Sequence, residues 1–69
     1  MAVESLWALR AKRSIAKCIL QHEASHAELL ILQDEEIAVR ELFADSDVAR
    51  DRARLLQERL VALGWRVAS

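Results

Sequence analysis

From residue 4 to residue 43 apolar side chains recur without a Gly or Pro to break them. Ala16, Leu20, Ala24, Ala27, Ile31, Ala38 and Leu42 fall at spacings that line one side of a helix. Ile15, Cys18, Leu29, Leu32, Val39 and Phe43 line a second side. Ala, Leu, Glu, Arg, Lys and Gln dominate the stretch, and these are strong helix formers. The pattern predicts a long helix, and a helix apolar on two sides has two neighbours. Ala44-Asp45-Ser46-Asp47 is the one turn-like cluster inside the chain. Asp45 or Ser46 can cap a second helix, with Asp47 placed where the helix dipole favours a negative charge. Ala49, Ala53, Leu56, Leu60 and Leu63 then form the apolar seam of that helix, and Leu55 widens it. Gly64 stands where a left-handed residue ends a helix, and Trp65 and Val67 fold back as an apolar tail.

These elements predict an all-α domain spanning residues 1–69: an antiparallel helical hairpin with one long N-terminal helix. The long helix would measure ~60 Å and the second only ~25 Å at 1.5 Å per residue. The hairpin therefore leaves Leu6, Trp7, Leu9, Ile15, Ile19 and Leu20 without cover. Pairing of two chains near residues 22–25 would cover them, with Ala24, Ala27 and Ile31 in the same seam, as a four-helix bundle. The alternative is a break near His22–His26 that yields three short helices.

Composition changes this picture little. The chain has 69 residues and 54% hydrophobic side chains, which excludes a disordered polymer. One Gly, no Pro and no Asn argue against the tight turns of an all-β fold and exclude a Gly-rich phosphate loop. Cys18 is the only cysteine, so no disulfide forms within the chain and a reducing, cytoplasmic setting is expected. Leu29-Leu30-Ile31-Leu32 is as long as any apolar run here, too short for a bilayer span or a signal-peptide core.

Charge is ordered along the chain. Residues 1–20 carry a net +3, residues 21–47 a net −7 and residues 48–69 a net +3, within an overall −1. Arg10, Arg13 and Lys17, with Lys12 beside them, make a basic stripe of the kind that grips phosphate. The acidic stretch supplies a protein counter-surface instead, so nucleic acid and membrane are not the expected partners. A second copy or another helical protein is.

One stretch carries chemistry. His22-Glu23-Ala24-Ser25-His26 matches H-E-x-x-H, in which two imidazoles one helical turn apart share a zinc ion and the Glu takes a proton from bound water. Cys18 lies one further turn back. Residues 22–27 resemble the HEAGHA form of the membrane-bound AAA-protease family of zinc peptidases, which implies a zinc-dependent hydrolase using His22, Glu23 and His26. The resemblance covers six residues, and Ser25 stands in place of the family's Gly. The third ligand has no motif; Glu41 and Glu58 are merely available. Glu23-x-x-His26 also matches the motif of di-iron bundles. The expected function is a non-catalytic helical interaction protein, such as a dimerising adaptor, co-chaperone or regulator, with no cofactor. The alternative is a zinc- or iron-binding helical protein or hydrolase.

Overall fold

In the segment around Cys18 the side chains at 16, 18 and 20 are buried while those at 15 and 17 are exposed. That is the two-residue period of a strand, in which successive side chains point to opposite faces. The structure, a computed structural model, describes residues 2–68. Four strands follow one another: β1 (Ala2–Ala11), β2 (Ser14–His22), β3 (Ala27–Gln33) and β4 (Glu36–Phe43). The helix α1 (Ser46–Ala62) follows, and then the two-residue strand β5 (Arg66–Val67). The sheet order is β4-β3-β2-β1-β5, with every pair antiparallel. The helix lies across one face and carries the chain from one edge strand to the other.

The all-α expectation is therefore corrected. Among the described residues there is one helix, with no long N-terminal helix, no helical hairpin, no coiled coil or bundle seam, and no set of three short helices. Two physical reasons account for the error. A spacing of four is shared by both periods: Ala16 and Leu20 lie on one side of a helix, but also on one face of a strand. Helix propensity is a weak bias of under ~1 kcal/mol per residue, which tertiary pairing overrides.

The turns concealed themselves through their chemistry. Hairpin turns favour Gly or Asn because their central residues take positive φ. Here Lys12 takes φ 54°, and Asp34 and Glu35 take 52° and 72°. Asp34 compensates with its own bonds: its N–H donates to the Ile15 carbonyl at 2.9 Å, and its Oδ1 accepts from the Ile15 N–H at 3.0 Å. The β3–β4 turn is thus fastened to β2.

Two irregularities tune the faces. Between Ser5 and Trp7 the β1–β2 register shifts, leaving Leu6 as the extra residue. Glu4 and Trp7 consequently both face the helix, a re-aiming typical of a bulge. A second shift opposite Ile31 and Leu32 leaves Ala38 as the extra residue of β4.

The second half of the chain follows its expectation closely. Asp45 is the N-cap and accepts from the Asp47 N–H at 2.7 Å; Gly64 takes φ 106° past the helix end. Ala49 and Ala53 are buried, and Leu56 and Leu60 pack against the core, whereas Leu63 is exposed. Trp65 packs on the core, while Val67 is exposed. The two alanines let the helix sit close to the sheet. Beneath them Trp7 donates its indole N–H to the Ala53 carbonyl at 3.0 Å. Leu9, Cys18, Leu20 and Leu29 are fully enclosed between the layers.

Candidate functional site

The register divides the sheet into two faces. The covered face carries Trp7, Leu9, Ala16, Cys18, Leu20, Ala27, Leu29 and Ile31. The other carries Ile15, Ile19, Leu30, Leu32, Ile37 and Leu42, and no described residue lies over it. An antiparallel sheet with one solvated face ordinarily alternates apolar and polar along each strand. Strand β3 does not: Leu29 through Leu32 are apolar on both sides. Leu30, flanked by Ile19 and Arg40 on neighbouring strands, is only 5% exposed. Ile37 and Leu42, on the edge strand β4, are 57% and 65% exposed. Exposed apolar side chains grouped on one face are a general feature of interaction surfaces. Among the described residues the one ion pair on this face is Arg40 with Glu28, at 3.0 Å.

At the end of this face bearing both two-residue turns lies a shallow hollow of about 280 Å³, lined by Ile15, Lys17, Leu32, Asp34 and Glu35. A separate apolar crevice of about 260 Å³ runs between the helix and the covered face, beside Leu56, Leu60 and Trp65 with Arg59 at its margin.

The residues expected at an interface separate into three groups. Trp7, Leu9, Leu20, Ala27 and Ile31 lie in the chain's own core, and Leu6 packs against it. The uncovered helix end that assigned them to a partner does not exist, because the chain's own helix covers them. Ile15 and Ile19 lie on the open face, and Ala24 is exposed in the β2–β3 loop. Leu30, Leu32, Ile37 and Leu42 belong to the open face and were missed. The run Leu29–Leu32 held the signal, since taken by twos it splits into Leu29 and Ile31 on one face and Leu30 and Leu32 on the other.

His22, Glu23 and His26 lie at a strand end and in a tight loop rather than on a helix. The Glu23 N–H donates to the His26 carbonyl at 2.9 Å, and His22 pairs across strands with Ala27. His22 Nε2 lies 3.1 Å from Glu4 Oε1, while His26 is exposed with its Nδ1 3.5 Å from Ser25 Oγ. Glu41 and Glu58 are engaged elsewhere, with Arg52 at 3.2 Å and Arg54 at 2.9 Å. Cys18 is enclosed in the core, and burial pushes its thiol up to about 12. Among the described residues no three His, Cys, Asp or Glu side chains come together to hold a metal ion.

What His22 does join is an ionic clamp. Arg50 on α1 reaches Glu4 at 2.8 Å through Nη2, and also Asp47 at 3.1 Å. The Arg50 and His22 hydrogen bonds hold the Glu4 carboxyl at about 2. The Glu4 carboxylate first, and then Asp47, raise Arg50 above its ordinary value. The clamp ties the first turn of the helix to β1, and Arg52–Glu41 ties it to β4.

Compared with known proteins, the chain matches no family model, no curated protein and no solved structure.

Proposed function

We propose that this chain is a non-catalytic protein-interaction module whose working surface is the open face of its sheet. The observation that carries this is the apolar face of Ile15, Ile19, Leu30, Leu32, Ile37 and Leu42, left without a layer over it. A small domain with one helix needs only one apolar face to fold; a second adds no core and favours association. The expected cofactor is none, and the groups that look chemical, His22 and Glu4, serve the helix clamp.

A photo-crosslinking side chain placed at Ile37 in the full chain, expressed in cells, tests this. Val61 on the helix, at 49% exposure, is the matched control for Ile37 at 57%. Position 37 should give a discrete protein adduct and position 61 none. Equal yields at the two positions overturn the proposal.

A further inference from the structure

We infer that the occupant of the open face is a second copy of this chain, seated face to face about a two-fold axis that runs along the strands between β2 and β3. This rests on the open face being the working surface, and it adds the identity and orientation of the partner.

The charges select the axis. The turns at 12–13 and 34–35 lie side by side at one end of the sheet, joined through Ile15 and Asp34. One turn is basic, Lys12 and Arg13 with Arg10 just before it; the other is acidic, Asp34 and Glu35 with Glu36 just after it. A two-fold axis along the strands keeps this end in place and exchanges left with right. It therefore carries the basic turn of each chain over the acidic turn of the other, twice per dimer. An in-plane axis across the strands would instead set the acidic turn over the far end of β3 and β4, near Glu28 and Asp45. That would oppose acid to acid, which costs specificity rather than supplying it.

The same axis matches the apolar side chains. Ladder positions at equal height are exchanged between β2 and β3, and between β1 and β4. Ile19 of one chain then lies over Leu30 of its partner, and Ile15 lies beside Leu32. Ile37 meets the small Ala8, and Leu42 meets Val3. The hollow by Lys17 falls on the axis, so each Lys17 lies over the other chain's Leu32, with its ammonium within side-chain reach of that chain's Asp34–Glu35 turn. Such an interface is self-complementary, as a closed two-fold dimer requires. Four strands ~4.8 Å apart and ~25 Å long offer roughly 500 Å² of projected area per chain. Side-chain relief raises the accessible area towards the ~600 Å² per partner of the smaller specific interfaces.

The test exchanges charges between the turns of the full chain. One variant carries Lys12→Glu and Arg13→Glu, the other Glu35→Lys and Glu36→Lys. All four positions are exposed, and circular dichroism checks the fold. Sedimentation at low salt should show the natural sequence as a dimer at micromolar concentration. Each variant alone should dissociate with Kd raised roughly tenfold or more, and an equimolar mixture should regain the original affinity. If a double variant fails to fold, Lys12→Glu mixed with Glu35→Lys carries the same test. Failure of the mixture to recover overturns the axis, and a dimer that persists in Ile37→Glu overturns the face. A natural sequence that stays monomeric, while position 37 crosslinks to a different protein, overturns self-pairing and leaves the interaction module standing. A monomer with no adduct overturns both.

Discussion

The two faces of the sheet are made from the same strands and both carry large aliphatic side chains, yet they solve different problems. On the covered face Leu9, Leu20 and Leu29 are sealed under a helix brought close by Ala49 and Ala53. Among the described residues that layer holds no buried charged or polar residue; its ions, Glu4 with Arg50 and Glu41 with Arg52, sit at the helix margins. On the open face Ile15, Ile37 and Leu42 stand in water while Leu30 is enclosed by its neighbours, and the Glu28–Arg40 ion pair lies among them. The comparison teaches that folding accounts for one apolar face only. On the interaction-module proposal, what retains the other acts between molecules, which would separate residues needed for stability from residues available for recognition.

The sharpest way to break the comparison is to delete matched side chains from each face. Leu29→Ala removes a fully enclosed side chain and should cost about 2–5 kcal/mol in urea unfolding, a large part of a small domain's stability. Ile37→Ala should cost less than about 1 kcal/mol, measured at dilutions where the chain is monomeric. Equal losses would show that the faces do not differ in kind.

A smaller effect tests how the covered face is held together. Trp7→Phe keeps the aromatic fill but removes the bond from the indole N–H to the Ala53 carbonyl. The loss should be about 1 kcal/mol, read from the same unfolding curves. No change would mean that the Ala53 carbonyl is satisfied by the helix alone.

The turn that both faces share offers a gain rather than a loss. Glu35 takes φ 72°, a conformation that disfavours side chains other than those of Gly and Asn. Glu35→Gly should raise the thermal midpoint, by the equivalent of roughly 0.5–1 kcal/mol. A lowered midpoint would show that the Glu35 side chain contributes more than its backbone strain removes.

The smallest effect concerns the helix margin. The Glu4 carboxyl is held at about 2 against an ordinary value of 4.5, so its contribution is present above 4.5 and is lost as pH falls from there towards 2. Glu4→Gln removes that contribution at every pH. Its stability deficit relative to the natural sequence should therefore shrink as unfolding is followed from pH 5 to pH 2. A deficit that stays constant would show that the clamp does not depend on the carboxylate charge.

The part of the chain that local chemistry alone dictates is its second half. Asp45, Ser46 and Asp47 start a helix, Ala49, Ala53, Leu56 and Leu60 face it inward, and Gly64 ends it; each follows from residues within a few positions. The first 43 residues are different because strands depend on partners far along the chain. Ala16 belongs to a strand since it lies opposite Leu9 and Gln33, neither of which any local pattern around it reveals. Its neighbourhood of helix formers differs from strand formers by less energy per residue than one good cross-strand pairing supplies. The chemical motif changed with it. His22 and His26 share a helix face only if the backbone coils, and in a hairpin loop His22 instead meets Glu4. Local sequence thus determined the capped helix and its inward face. Tertiary pairing decided that the apolar run of β3 would be divided between a core and a surface, because only the register of neighbouring strands assigns each side chain to a face.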